Sequence, residues 1–175
     1  MFLLDVYNKA ELKVDGASKG RLFTLLRTFP ENEPTKKKFV AEAVGWTAKY
    51  GDYPAGDPEL HHIAGQSFAE GKETPLMALQ YTSHRLRPLT TPPEGDTYEA
   101  ERHLLLGTRD SASTLARLEY SWYTQDEDPS TAALYAARAI LPYLLTRNLR
   151  AANASLLFFT SALGSSAHPL SLIHI

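Results

Sequence analysis

No cysteine occurs among the 175 residues, which excludes a disulfide framework, a thiolate metal site and a cysteine nucleophile. No stretch approaches the roughly 18 consecutive apolar residues that a spanning helix needs. An excess of charge is missing too. A net charge of −2 and a pI near 6.3 give no reason to expect nucleic acid or an anionic membrane as partner. Met1-Phe2-Leu3-Leu4 lacks the basic n-region, length and small-residue cleavage site of a signal peptide. Alternating apolar and polar residues, the mark of a half-buried strand, are absent as well. These absences suit an all-α cytosolic protein.

What is present is helical periodicity. Phe2 to Leu12 reads as a helix with no capping residue before it. The next runs from about Ala17 to Phe29, with Leu22, Leu25, Leu26 and Phe29 on one face, and Pro30 and Pro34 bracket the loop after it. From about Thr35 to Tyr50, the residues Phe39, Ala43, Trp46 and Tyr50 share a face. Lys36, Lys37 and Lys38 in its first turn read as a solvated lysine run. Asp57-Pro58-Glu59 is a strong helix start, with a capping acid followed by proline at the first helical position.

The stretch Tyr98 to Ser111 reads as a helix, a stop at Gly107, where a left-handed residue could end it, and a restart capped by Asp110 or Ser111. Three more helices are expected at about 111–124, 130–146 and 149–163. Their core stripes are Leu115, Leu118 and Trp122; Leu134, Ala137, Leu141 and Leu144; and Ala152, Leu156, Phe159 and Leu163. Pro142 should kink the second of them. Pairing 17–29 with 35–50, 57–70 with 97–107, and 111–124 with 130–146 gives an α-solenoid of antiparallel hairpins, a degenerate TPR/HEAT-like array.

Candidate chemistry fails on inspection. Gly65-Gln66-Ser67-Phe68-Ala69 lacks the preceding strand and the final glycine of a nucleophile elbow. Gly65 to Lys72 has five residues between its glycines where a P-loop has four. His61 and His62 project about 100° apart on a helix and cannot clamp one metal; with His103 they read as surface or hydrogen-bonded histidines. Glu99 with Arg102 or His103 is ordinary helix-surface pairing. No catalytic, cofactor-binding or metal-binding residue is assigned.

The ordered runs Leu3-Leu4-Asp5-Val6-Tyr7, Glu11 to Asp15, Gly56-Asp57-Pro58-Glu59-Leu60-His61, and Tyr98-Glu99-Ala100-Glu101-Arg102-His103-Leu104-Leu105-Leu106-Gly107-Thr108-Arg109-Asp110-Ser111 resemble the Golgi-to-ER traffic protein 4 family. The resemblance covers nearly all of residues 2–163 except a proline-rich segment. It implies a non-enzymatic cytosolic adaptor of the guided-entry pathway for tail-anchored membrane proteins. Such an adaptor inserts in no membrane and needs no cofactor. It links a homodimeric targeting ATPase, bound through N-terminal helices, to a partner with a ubiquitin-like domain. Asp5, Glu11 and Asp15 lie nearest the implied ATPase interface. Asp57, Pro58, Glu99, Ala100, Glu101, Arg102, Gly107 and Asp110 carry the structural motif. The alternative is a scaffold subunit of another complex, of proteasome-lid or vesicle-coat type.

Three departures from the family pattern are expected to matter. Residues 1–164 read as an incomplete solenoid, lacking helices before Phe2 and the region that grips the ubiquitin-like partner. Isolated, it should be poorly soluble. Residues 72–95, rich in proline, read as a translated intron or a disordered insertion. Residues 165–175 read as a non-native tail, the last six matching a translated sequencing-library adapter.

Overall fold

The computed structural model describes residues 2–30, 33–70, 94–126 and 128–166. Residues 71–93 and 167–175, which hold most of the suspected insertion and tail, lie outside the described residues. Those described form eight α-helices, one short 3-10 turn and no strands. They divide into two compact units, Met1–Thr108 and Arg109–Ile175.

In the first unit α1 spans Phe2–Lys9, α2 Gly16–Thr28, α3 Thr35–Tyr50, α4 Pro58–Glu70 and α5 Glu94–Leu105. Helix α1 stops three residues earlier than its apolar content suggests. The amide of Leu12 donates to the Tyr7 carbonyl (3.1 Å) and that of Glu11 to Asn8 (3.3 Å), with Glu11 at φ +48°. This is a Schellman closure with a non-glycine residue in the left-handed position. Asp15 and Ser18 then cap α2 reciprocally: the Ser18 amide donates to Asp15 Oδ1 and the Asp15 amide to Ser18 Oγ. Pro30 forces Phe29 into extended backbone at ψ 133°, ending α2.

Each of these helices buries one stripe: Leu4 and Tyr7 from α1, Leu22 and Leu26 from α2, Phe39, Val40, Ala43 and Trp46 from α3, Leu60, Ala64 and Phe68 from α4, Ala100 and Leu104 from α5. Leu25, expected inside, is 40% exposed. Helix α1 packs on α3, α2 on α3 and α4, and α3 on α4. The most extensive packing is α4 on α5, the pairing expected from sequence. Helix α5 begins at Glu94, so residues 94 and 95 of the suspected insertion are helical.

Gly65 allows that close approach. A Cβ there would lie 2.6 Å from Leu104 Cγ and 3.1 Å from the Leu104 backbone nitrogen. The lysine run divides. Lys37 and Lys38 are exposed, but Lys36 is buried, donates to the Ser67 carbonyl (2.8 Å) and sits over the Phe68 ring. Its position on the α4-facing side of α3 overrides its charge.

The second unit packs α6 (Ser111–Tyr123), α7 (Ala132–Leu145) and α8 (Leu149–Ser166) on one another. Helix α8 runs on to Ser166, into the segment read as tail. Asp110 does not cap α6 with its side chain. Its carbonyl instead takes the hydroxyls of Ser113 and Thr114. The buried face of α7 is Ala139 and Tyr143, while Leu134, Leu141 and Leu144 are exposed. In α8, Ala152 and Phe159 are buried as expected, whereas Leu156 is 44% exposed. Small residues let the three helices approach, and Ser155 of α8, fully buried, donates to the Ala112 carbonyl of α6 (3.1 Å). Arg147, at φ +59°, closes α7 as Glu11 closes α1: Asn148 N donates to Tyr143 O (2.8 Å) and Arg147 N to Leu144 O (3.0 Å).

Candidate partner segment and the polar centre of α4 and α5

Asp5, Glu11 and Asp15 are all exposed, on α1, its closing turn and the cap of α2. Among the described residues, no hydrogen bond or ion pair joins them to one another. Asp15 has a structural duty, since two hydrogen bonds from Ser18 hold its carboxyl below the usual carboxylate range. Glu11 lies in the field of Lys49, and Asp15 in that of Arg21. The backbone beneath them is fixed: Val14 N donates to Tyr50 O (3.2 Å), tying the turn to the end of α3.

Except for Asp110, which precedes α6 in the second unit, the motif residues lie on the α4–α5 hairpin and its ends. Asp57 is the centre of that arrangement. Its Oδ1 accepts from the amides of Glu59 (3.0 Å) and Leu60 (3.1 Å), capping α4, and its Oδ2 accepts from Lys19 Nζ of α2 (2.9 Å). Its own amide donates to Thr47 Oγ1 of α3 (3.1 Å). One residue thus joins three helices, its carboxylate linking α4 to α2 and its amide linking it to α3. Pro58 takes the first helical position, where its missing N–H costs nothing. The hydrogen bond to Asp57 raises the Lys19 ammonium above the usual lysine value.

Gly56 is required twice over. Its φ is +104°, and a Cβ would meet Val44 Cγ1 at 2.8 Å and His61 Nε2 at 3.1 Å. On α5, Ala100 is fully buried, while Glu99 reaches Arg102 (3.9 Å) and His103 Nε2 (3.8 Å). Glu101 is half-buried. Helix α5 ends with Leu106 N on His103 O and Gly107 N on Leu104 O. Among the described residues the positive-φ glycine is Gly56, not Gly107.

The histidines are the feature that spacing could not reveal. His61 and His103, 42 residues apart, meet Nδ1 to Nδ1 at 2.8 Å, and His61 Nε2 lies 3.0 Å from the Ala55 carbonyl. Both are buried, and Phe68 stacks on His103. Burial lowers both; His103, with His61 and Arg102 adding to the effect, is pushed down to about 4. Among the described residues, no cluster of three or more His, Asp or Glu side chains could hold a metal ion.

Polar groups here cap helices, bridge them or pair between them. Together with the stacked helices, they define a helical-repeat protein. The family model described as Golgi to ER traffic protein 4 matches residues 1–173. The chain is 46% identical to Golgi to ER traffic protein 4 of Aspergillus fumigatus over 174 residues, covering 95% of this chain and 43% of that one. It is 31% identical to the Schizosaccharomyces pombe protein of the same name, covering 97% of this chain and 47% of that one. The crystal structure of C. therm. Get4 superposes with a TM-score of 0.76 at 46% identity, covering 94% of this chain and 45% of that one. The chain belongs to the Golgi to ER traffic protein 4 family and has its helical-repeat solenoid fold. It spans less than half the length of these relatives.

Proposed function

We propose that the protein is a non-enzymatic cytosolic adaptor in the post-translational insertion of tail-anchored proteins into the ER membrane. In this reading it links a homodimeric targeting ATPase to a partner with a ubiquitin-like domain. The observation that carries it is family membership across the chain, in a family named for Golgi-to-ER traffic. Two features support it. No helix among the described residues is long and apolar enough to cross a membrane, and the polar centre of α4 and α5 is occupied by caps and ion pairs.

Asp5, Glu11 and Asp15 form the ATPase-facing part in this reading. Asp5 and Glu11 offer exposed carboxylates at no structural expense, whereas Asp15 would have to share its own with the α2 cap. The test is capture of the purified ATPase by the chain with Asp5→Lys and Glu11→Lys, alone and together. Each reversal should weaken capture at low salt, with the difference shrinking as salt rises. Capture indifferent to both reversals would remove this segment from the interface. The ubiquitin-like partner should not be captured by these 175 residues, and ordinary affinity would overturn that placement.

A further inference from the structure

His61 and His103 touch through the ring nitrogens nearest their own backbones, Nδ1 to Nδ1 at 2.8 Å. A hydrogen bond at that distance needs one N–H and one lone pair, because two N–H groups or two lone pairs would repel. The far nitrogen of His61 decides which ring supplies which. Nε2 lies 3.0 Å from the Ala55 carbonyl, which can only accept, so this nitrogen bears the hydrogen. A neutral His61 therefore has a bare Nδ1, and His103 donates from its own. His103 Nε2 is then bare, 3.8 Å from Glu99 Oε2. That separation is too long for a hydrogen bond.

This relay holds only while the rings are proton-poor. A proton on His103 Nε2 is buried and, among the described residues, has no hydrogen-bonded anion, Glu99 Oε2 standing 3.8 Å away. A proton on His61 Nδ1 faces the N–H of His103 and breaks the contact. We infer that the His61–His103 pair is a proton-sensitive latch between α4 and α5, closed while both imidazoles are neutral, whose opening takes up two protons.

The surrounding charges agree with that reading. From α2, Lys19 neutralises Asp57 and reaches Glu59, so the capping acid offers His61 little. From α3, Lys36 stands over the Phe68 ring that stacks on His103. Helix α4 itself adds Glu59 and His62, and α5 adds Glu99, Glu101 and Arg102. Arg102 opposes protonation of both rings. Both rings titrate lower folded than unfolded, so opening binds protons. The latch is at full strength above about pH 6.5, the ordinary histidine value, and weakens as pH falls towards about 4, where His103 itself protonates.

The inference does not rest on the adaptor reading, and its test needs no partner. Unfolding of the 175-residue chain is measured by denaturant titration between pH 7.5 and 5, beside His103→Asn, whose amide can still donate to His61 Nδ1. The wild-type unfolding constant should rise steeply below pH 6.5, by up to a hundredfold per pH unit for two protons. In the variant the dependence should fall by up to tenfold per unit, one proton fewer. Equal pH dependence in both overturns the latch. Should the variant not fold, nitrogen-15 NMR of the wild type decides. His103 protonated at Nδ1 and bare at Nε2 supports the relay, and the opposite tautomer refutes it.

Discussion

Among the helical glycines, Gly20, Gly45 and Gly65 allow a comparison, because replacing each with alanine isolates the effect of one methyl group. Gly20 of α2 and Gly45 of α3 have nothing within 4 Å of an added Cβ. At those two sites alanine gains only helix propensity, about 1 kcal/mol. At Gly65 the same gain meets Leu104, with Cγ at 2.6 Å, Cδ2 at 2.8 Å and the backbone nitrogen at 3.1 Å. Leu104 is fully buried. Its backbone contact means α4 and α5 must separate as well. Overpacking of this kind costs roughly 1–3 kcal/mol, and a clash that involves backbone belongs at the upper end. After the propensity gain, Gly65→Ala should destabilise by about 2 kcal/mol, while Gly20→Ala and Gly45→Ala stabilise by about 1 kcal/mol each. Urea denaturation followed by circular dichroism reads all three. A midpoint for Gly65→Ala at or above wild type, with unchanged slope, would refute the close-packed hairpin.

Other substitutions test other parts of the fold. Glu11→Gly and Arg147→Gly remove a side chain from the left-handed position that closes α1 and α7, and each should stabilise by about 0.5–1 kcal/mol, readable as a shifted denaturation midpoint. Unchanged or lower midpoints would contradict these closures. Asp57→Asn keeps an N-cap oxygen but loses the charge opposite Lys19, whereas Asp57→Ala loses both. The expected losses are under about 1 kcal/mol for the first and about 2 kcal/mol for the second, and equal losses would show that the cap contributes little.

The existence and order of the helices were legible because apolar residues recur at helical spacing and prolines mark the breaks. The α4 start was legible to the residue: aspartate, proline and glutamate each suit one position there, and local backbone chemistry decides all three. What escaped depended on which face a helix turns to its neighbours. Helix α7 carries leucines on one side and alanine with tyrosine on another. Hydrophobicity alone favours the leucines, but the helices of its unit close on Ala139 and Tyr143. Lys36 is similar, because nothing in a run of three lysines says which one meets a carbonyl of the next helix. The histidine pair needed α4 and α5 to be side by side before its members could be recognised. Of the candidate site, exposure of the three acids accords with a surface role, but the cap duty of Asp15 depended on the register of Ser18.

The tie between Val14 and Tyr50 bears on how fast any partner could land on the acidic turn. A carboxylate carried on a loose loop must be ordered at the moment of contact, and each residue so fixed costs about 1–2 kcal/mol. Here the turn from Glu11 to Asp15 is already closed by α1, anchored to α3 and continued into the cap of α2. Glu11 and Asp15 therefore stand on preorganised backbone. For a cationic surface approaching them, the rate of association would follow charge and ionic strength, with no folding step in between.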